Sequence, residues 1–470
     1  MDDWWIPPLR SVFGGRRVVL AGANAAAWTE HLPILREAGV TDMLVVASAW
    51  GAGERPDVAT LVVEAATGRS TMEQIRADNR FLADPPAEVI AALDEFDPGG
   101  DALVLGSFLN TNPNLAGRPF VSYRRAEWVA LEDKVMVDAF WDRARIERQP
   151  SIVVPLADAP QACHSIDRGD GTVWAADARD GFHGGASQTY WVADDASREV
   201  AMAGLQPVCE SVRIMPFLDG IPCSIHGIVL PDGVAVLRPV EMVTLRRGRE
   251  FVYAGCATYW DPPAEMRDQM RAIARTAGAQ LVAELDFRGT FTVDGVVTAD
   301  GFWPTELNPR FGAGINAIAR ASGLPILLVN DLVVGGHDLG RSATVIEGEL
   351  IERADDHRGG GTWMGGLIHR AEPGTRVVDS STVTIGPSFI RCIYDPANTP
   401  IGPSTAHQAC EFWAFTDGEF GTEIGPLIPA PDLRNSTMSD RPSVIRPVRS
   451  SPQAARTLMA SSTRSTGTSR

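Results

Sequence analysis

Hydrophobic positions near the start of the chain fall into short apolar runs separated by one longer amphipathic stretch. The runs RRVVLAG and TDMLVVASAW, at residues 16–22 and 41–50, are typical of buried strands. The stretch between them carries an apolar stripe at helical spacing and ends at Gly39, so it predicts a helix. A further strand, ALVLGSF, begins near residue 102. Strand, helix and strand at this spacing predict parallel βαβ packing, and hence an open N-terminal α/β domain.

The pattern after residue 120 changes to one long amphipathic segment followed by short strands. RRAEWVALEDKVMVDAFWDRARI predicts a single helix that contains Lys134. Residues 172–192 predict two strands joined by a glycine-rich loop, as found where backbone approaches a ligand. From residue 212 we expect successive antiparallel strands, a long helix, a hairpin that turns at Asp300-Gly301, and another helix.

The C-terminal part is glycine-rich up to residue 433, where an α/β region is expected, and then becomes rich in Ser, Thr, Arg and Pro. That composition cannot bury a core, so the end of the chain is expected to be a disordered tail. The predicted division is an N-terminal α/β domain at 1–118, a second domain at 119–338 with a small subdomain at about 151–212, a C-terminal region at 339–433 and a tail at 434–470.

Composition and charge narrow the class of protein. The chain has 470 residues, 44% of them hydrophobic and 21% charged, which is typical of a soluble globular protein with several packed units. A formal net charge of -17 disfavours nucleic acid and anionic membranes as partners. The six cysteines form no CxxC pair, and we find neither a signal peptide nor an apolar run of membrane-spanning length. The expected location is the cytoplasm.

The hairpin FTVDGVVTADGFWPTELNPR carries the strongest candidate chemistry. Strand alternation puts Glu306 and Asn308 on one face, and the turn can bring Asp294 opposite them. Ligands that offer only oxygen suit Mg²⁺, which usually takes one or two carboxylates and completes its shell with water and phosphates. The alternative is a solvated sheet face with ordinary surface acids, which the apolar residues around the motif make less favourable.

Arginines near this hairpin are candidate binding groups for phosphate or carboxylate. Arg310 follows Asn308 by two residues and should share its face, while Arg288 and Arg238 are expected on neighbouring strands. The planar guanidinium group binds such anions through two parallel hydrogen bonds. For Arg288 and Arg238 a structural ion pair is the alternative.

The segment TELNPRFGAG resembles the C-terminal metal motif of ATP-grasp enzymes, in which Glu-x-Asn follows a hairpin that carries another acidic ligand. The order of the elements over roughly 120–335 is similar too. The resemblance implies an α/β (α+β) fold, with a Rossmann-like pre-ATP-grasp domain followed by an ATP-grasp fold with a small lid. More narrowly, RPVEMVTL, GTFTVDGV and PTELNPRFGAG resemble a bacterial group that includes the peptide ligase of pheganomycin biosynthesis.

The resemblance implies an ATP- and Mg²⁺-dependent ligase that joins a small-molecule or peptide carboxylate to an amine through an acyl phosphate, releasing ADP and phosphate. It also implies a homodimer. An ATP-grasp enzyme with a different acceptor and a non-catalytic nucleotide-binding regulator are the alternatives. A dehydrogenase is disfavoured because the N-terminal domain has no GxGxxG motif.

The family's functional positions carry over to this sequence one at a time. Asp294, Glu306 and Asn308 match the residues that hold Mg²⁺ between the ATP phosphates, and Arg310 is expected to orient the γ-phosphate or the acyl phosphate. The nucleotide-binding set comprises Lys134 as the first lysine, Gly181, Gly184 and Gly185 in the lid loop, Met215 and Leu218 at the adenine, and Asp219 at the ribose. A solvated lysine and a plain hairpin turn are the alternatives for Lys134 and the glycines.

One position departs from the family's pattern. A second lysine usually stands on the strand before the lid loop, and Asp177 aligns with it here. A carboxylate cannot neutralise a phosphate, so three alternatives are open. Arg179 takes the role, Asp177 acts through a metal, or the chain binds nucleotide poorly.

Overall fold

The computed structural model describes residues 3–51, 54–64, 71–179, 184, 186–218, 220–247, 250–258 and 262–356, and the backbone of short strands beyond them. Gly181, Gly185 and Asp219 lie outside the described residues, as do the tail at 434–470, except for Ser443–Val444, and most of the region at 339–433. Within the described part of the chain, no helix is long and apolar enough to cross a membrane.

Parallel strands form the N-terminal sheet, in the order β3–β2–β1–β4. The strands are β1 (Arg17–Asn24), β2 (Asp42–Ala49), β3 (Ala59–Val62) and β4 (Leu103–Leu105), and the helices are α1 (Ile6–Phe13), α2 (Leu32–Glu37), α3 (Thr71–Ala83) and α4 (Ala87–Phe96). The segment after β1 is not the single helix that the sequence predicts, because a 3₁₀-helix, Ala25–His31, precedes α2. Pro33 near the start of α2 has no N–H group, so it begins a helical segment rather than continuing one.

The N-terminal sheet is covered on both faces. Val18 and Leu20 belong to one apolar cluster, and Val19 and Ala21 belong to another, and all four are fully buried. Alternate side chains of a strand point to opposite faces, so a strand that is buried on both sides must be apolar throughout. This explains the continuous apolar run of β1.

The segment around Lys134 differs from the predicted single helix. It contains β5 (Asn114–Leu115), β6 (Arg118–Pro119), α5 (Ala126–Val129), a 3₁₀-turn (Ala130–Glu132) and α6 (Val137–Ala144). The backbone of Asp133 is extended, and its carboxylate accepts the N–H of Val135 at 3.1 Å. This local bond replaces the helical backbone bonds, so the helix ends there and Lys134 lies in a turn.

A small antiparallel sheet, the β7–β10 unit, follows. It consists of β7 (Ile152–Pro155), β8 (Thr172–Ala176), β9 (Thr189–Val192) and β10 (Ser211–Pro216), with 3₁₀-turns at Leu156–Asp158 and Cys163–Ser165 and helices α7 (Ala159–Ala162) and α8 (Asp195–Leu205). The predicted strand pair before and after the glycine-rich loop is confirmed as β8 and β9. Asp194 and Ser197 form a capping box at the start of α8, and the apolar face of that helix packs on the sheet.

The central sheet has the strand order β16–β15–β11–β13–β14. Its elements are β11 (Ile221–Leu230), β12 (Gly233–Val236), β13 (Val240–Arg247), β14 (Glu250–Ala257), α9 (Ala264–Leu285), β15 (Gly289–Thr298) and β16 (Gly301–Asn308). The segment GVAVLRPVEMVTL at residues 233–245 has the apolar pattern of one strand, but the structure divides it into β12 and β13. Pro239, which has no N–H group for a sheet ladder, lies at the break.

Helices α10 (Ala313–Ser322), α11 (Ile326–Val334) and α12 (Ala343–Asp356) connect the central sheet to the N-terminal sheet. Leu328 and Leu332 of α11 share one apolar cluster with Leu9 and Leu20 of the N-terminal region. Backbone strands β17 (Gly360–Trp363), β18 (Gly374–Val378), β19 (Ser381–Ile385), β20 (Ile390–Ile393) and β21 (Ser443–Val444) complete the description. The same cluster contains Ile228 and Leu230 of β11, so it holds the N-terminal sheet against the central sheet.

Candidate functional site

A β-bulge determines which side chains face each other in the β15–β16 hairpin. Gly295 pairs with Pro304, but the next residue, Asp294, pairs with Glu306, so Thr305 is an extra residue on β16. A regular ladder would have placed Thr305 opposite Asp294 and turned Glu306 to the other face. The bulge therefore brings the two carboxylates together.

Asp294, Glu306 and Asn308 converge on one face of the sheet, as the alternation predicted. The Asn308 amide donates to Asp294 Oδ2 at 2.9 Å, and the Ser224 hydroxyl on β11 donates to Asp294 Oδ1 at 2.5 Å. Two carboxylates and an amide oxygen are a donor set that fits Mg²⁺. Within the described residues, no cluster of three or more His, Cys, Asp or Glu offers a site of another type.

The electrostatics of this face favour a cation. Burial raises the pKa of Asp294 to about 7, and the neighbouring Glu306 carboxylate adds to the rise. Two partly buried carboxylates repel one another in their charged forms, and a divalent cation between them would remove that repulsion. The pair of opposed carboxylates therefore fits a divalent cation.

Lys134 reaches this face from its turn. Its Nζ lies 3.7 Å from Glu306 Oε1, and its side chain is only 8% exposed. Lys134 is the one lysine in the whole sequence, and every other member of the 42 lysines and arginines is an arginine. The amino-acid composition therefore singles out Lys134, because a chain that otherwise uses arginine has an ammonium group at this position.

Arg310 lies between the carboxylate face and a buried ion-pair cluster. One of its Nη atoms donates to Asn308 Oδ1 at 3.1 Å, and its Nε donates to Glu132 Oε2 at 3.2 Å. Glu132, which is 2% exposed, also pairs with Arg124. Burial lowers the pKa of Arg124 to about 10, with the nearby Arg310 charge contributing. Sequence reasoning missed Arg124 and Glu132 because they lie outside every recognised motif.

Arg238 and Arg288 lie in loops that flank the strands, not on the strands where the sequence placed them. Arg238 is buried and its Nε lies 2.6 Å from Asp355 Oδ1, which matches the ion-pair alternative. Arg288 immediately precedes β15, is 45% exposed, and lies 3.5 Å from Asp286. Arg288 lines a small cavity together with Arg124 and Arg310, whereas Arg238 does not.

Asp177, which aligns with the family's second lysine, binds the chain's own backbone. Its carboxylate accepts hydrogen bonds from three backbone N–H groups. Arg179 donates to Oδ1 at 3.2 Å, and Glu210 and Ser211 donate to Oδ2 at 3.0 and 2.6 Å. The guanidinium group of Arg179 donates a hydrogen bond to the carbonyl of Pro207. In this arrangement both side chains join β8 to the start of β10. Gly184, in the loop that follows, accepts a hydrogen bond from Ser187 through its carbonyl.

Met215 and Leu218 lie at the end of β10. Met215 is buried and pairs with Val173 of β8, while Leu218 follows the strand end and is partly exposed. Between them, Phe217 stacks on Trp191 with ring centroids 4.6 Å apart. Arg213 of the same strand forms a two-point ion pair with Asp138 and donates to the carbonyl of Thr305, which joins the β7–β10 unit to the hairpin.

Comparison with known proteins identifies the architecture. No protein-family model and no curated protein matches the chain. Solved structures do. An ADP complex of an N5-carboxyaminoimidazole ribonucleotide synthetase has a TM-score of 0.53 at 12% identity, covering 87% of this chain and 98% of its own. The chain has the ATP-grasp fold.

Two further structures with this fold extend the likeness. The biotin carboxylase domain of the Hydrogenobacter thermophilus 2-oxoglutarate carboxylase, determined with MgADP, ADP and bicarbonate, has a TM-score of 0.52 at 13% identity and covers 93% of this chain and 98% of its own. A Campylobacter jejuni biotin carboxylase in complex with an ATP analogue has a TM-score of 0.53 at 14% identity, covering 81% and 87%. At such identities the likeness extends to the ATP-grasp fold and not to substrates.

Proposed function

We propose that this chain is an Mg²⁺- and ATP-dependent carboxylate–amine ligase. The observation that carries the proposal is the partly buried face on which Asp294 and Glu306 oppose one another, with Asn308, Lys134 and Arg310 around them. Opposed carboxylates beside cationic groups suit Mg²⁺ bound to nucleotide phosphates. The ATP-grasp fold supports the same reaction class.

The reaction proceeds in two steps. A substrate carboxylate attacks the γ-phosphate of ATP, giving an acyl phosphate and ADP, and an amine then displaces phosphate to form the amide. Mg²⁺, held by Asp294, Glu306 and Asn308, would screen the phosphate charges. Lys134 contacts a phosphate oxygen, and Arg310 positions the carboxylate and stabilises charge on the transferred phosphoryl group.

The remaining nucleotide contacts are proposed from the family pattern. Backbone groups from Met215 to Leu218 bind adenine, Asp219 binds ribose, and Gly181, Gly184 and Gly185 lie over the phosphates. Arg179 is the weakest member of this set because its guanidinium contacts Pro207. We also propose the domain division of the sequence analysis, peptide or small-molecule substrates, a cytoplasmic location and a homodimer.

A turnover assay tests the proposal. Purified chain is mixed with ATP, Mg²⁺ and pooled carboxylic acids, amino acids and small peptides, and ADP, AMP and phosphate are measured separately. ADP and phosphate release that requires both a carboxylate and an amine is expected. Release of AMP with pyrophosphate would contradict the acyl phosphate.

The single lysine provides a second, substrate-independent measurement. Amine-specific acetylation, located by mass spectrometry, reports Lys134 and otherwise only the terminal amine. Mg²⁺-ATP is expected to protect Lys134 at least fivefold without protecting the terminal amine. Equal labelling with and without Mg²⁺-ATP would remove Lys134 from the nucleotide site.

A non-catalytic nucleotide-binding regulator is the second candidate, and Asp177 favours it because no lysine stands at that position. Protection of Lys134 by Mg²⁺-ATP, without ADP release from any pool, would support the regulator. ADP release that depends on Glu306 would exclude it.

A further inference from the structure

A small cavity lies beside Arg310. Its volume is about 20 Å³, and residues of the N-terminal domain and of the start of β15 line it. Trp128 and Phe287 form part of its wall, and Arg124, Arg288 and Arg310 also line it. An apolar wall with a few convergent polar groups is typical of a small-molecule site.

Among the described residues, three arginines and no carboxylate line this cavity. Arg124 and Arg310 share the buried carboxylate of Glu132, and Arg310 also interacts with Asp294 and Glu306. Arg288 is paired with Asp286, which is 67% exposed and therefore screened by solvent. An anion in the cavity would meet arginines and no lining carboxylate, and the planar guanidinium group suits a carboxylate.

Thr290 provides an independent sign of a missing ligand. Thr290 is 1% exposed and lines the cavity, and its hydroxyl has no hydrogen-bond partner within the described structure. Its backbone N–H donates to Asn330 Oδ1, so the backbone at this position is satisfied and only the hydroxyl is not. A buried hydroxyl without a partner costs stability unless a ligand supplies the bond.

We propose that this cavity binds a carboxylate group of the substrate that does not react, held by Arg124, Arg288 and the Thr290 hydroxyl. This proposal deepens the proposed ligase function and rests on it, because the bound carboxylate belongs to a substrate only if the chain is a ligase. A volume of about 20 Å³ holds one or two water-sized atoms, which matches the two oxygens of a carboxylate and is small for a phosphate. Arg310, which contacts both the cavity and Asn308, would place the reacting group next to the metal-binding face.

Acetate is the probe, because it is the smallest carboxylate and the test needs neither ATP nor an identified substrate. Binding of ¹³C-acetate to the full chain, at low ionic strength and without Mg²⁺, is followed by NMR line broadening, with acetamide and inorganic phosphate as comparison ligands. We expect acetate to bind and acetamide not to bind. Arg288→Gln should weaken acetate binding at least fivefold.

Two variants separate ligand binding from stability. Thr290→Val keeps the side-chain shape and removes the unpartnered hydroxyl, so acetate binding should weaken while the melting temperature stays the same or rises. Arg143→Gln is the matched control, because Arg143 is 51% exposed, is paired with Glu284 and does not line the cavity. It should leave acetate binding unchanged.

Failure of the carboxylate-pocket proposal can be distinguished from failure of the ligase proposal. Three outcomes would each overturn the carboxylate pocket: no acetate binding, acetate binding that Arg288→Gln leaves intact, or tighter binding of phosphate than of acetate. None of them would contradict Mg²⁺-ATP turnover by the chain. If acetate binds as expected, a second titration identifies the source of the carboxylate. Tighter binding of glutarate than of its monoamide indicates a diacid, and tighter binding of alanine than of alaninamide indicates an amino acid.

Discussion

The end of the β15–β16 hairpin and the end of β8 are both expected to face nucleotide phosphates, yet their acidic residues are arranged in opposite ways. Asp294 is partly buried and lies opposite a second carboxylate, and its pKa rises to about 7. Asp177 accepts backbone N–H groups of Arg179, Glu210 and Ser211. The first arrangement is improved by adding a cation, whereas the second is already satisfied by the chain itself.

The difference teaches how to separate a binding group from a structural one when both are acidic and both occupy family positions. A carboxylate that accepts backbone N–H groups contributes to the free energy of folding without a ligand. Carboxylates that oppose each other in a buried site reduce stability unless a ligand is present, and such perturbed groups are typical of functional sites. On this basis we expect the hairpin to control activity and Asp177 to control stability.

Glu306→Gln should give the largest effect. The change keeps the size of the side chain and removes one metal-binding charge, so ADP release should fall at least about 1000-fold, or roughly 4 kcal/mol of barrier stabilisation. The melting temperature without Mg²⁺ should not fall, because the repulsion of Asp294 is removed. Glu265→Gln, at an exposed position in the first turn of α9, is the control. Undiminished turnover would refute the metal-binding role.

Lys134→Gln tests whether the ammonium group belongs to the nucleotide site. Loss of one charge-assisted bond of about 1.5–3 kcal/mol should raise the Kd for Mg²⁺-ATP roughly 10- to 100-fold. Lys134→Arg should recover part of the affinity, since it keeps the charge. Isothermal titration measures both variants, and an unchanged Kd for Lys134→Gln would leave only a structural ion pair with Glu306.

Asp177→Ala tests the other half of the comparison. Three backbone N–H groups lose their acceptor, so the free energy of unfolding should fall by about 1–2 kcal/mol in urea denaturation. The Kd for Mg²⁺-ATP should change less than threefold. The opposite pattern, with unchanged stability and an affinity loss above tenfold, would return Asp177 to the phosphate site.

Asp331→Asn is expected to have the smallest effect on activity, and it tests a buried carboxyl without a second acid beside it. Burial raises the pKa of Asp331 to about 7, although the Ser122 hydroxyl donates to it at 2.6 Å. A raised folded-state pKa stabilises the protein below the unfolded value near 4, and that contribution is lost as pH rises through 7. The variant should therefore gain about 2–3 kcal/mol relative to the wild type between pH 5 and pH 8, at about 1.4 kcal/mol for each pH unit up to pH 7. Urea denaturation at both pH values checks the gain, and Mg²⁺ should not alter it; a variant that tracks the wild type across this range would contradict the shift.

The sequence by itself determined the parts of the molecule whose physics is local. The apolar runs of β1 and β2 and the turn at Asp300-Gly301 predicted their strands, because burial and turn chemistry act over a few residues. Alternation along β16 predicted that Glu306 and Asn308 share a face. The TELNPRFGAG motif indicated the ATP-grasp fold, which the structure has.

Tertiary structure alone decided the rest. The bulge at Thr305 selects Glu306 as the partner of Asp294, and no periodicity in the sequence reveals a one-residue shift in pairing. Asp133 ends a helix that the amphipathic pattern continues, since one local hydrogen bond outweighs the stripe. The cavity lined by Arg124, Arg288 and Thr290 joins segments more than 160 residues apart, and only chain folding can bring such groups to one point.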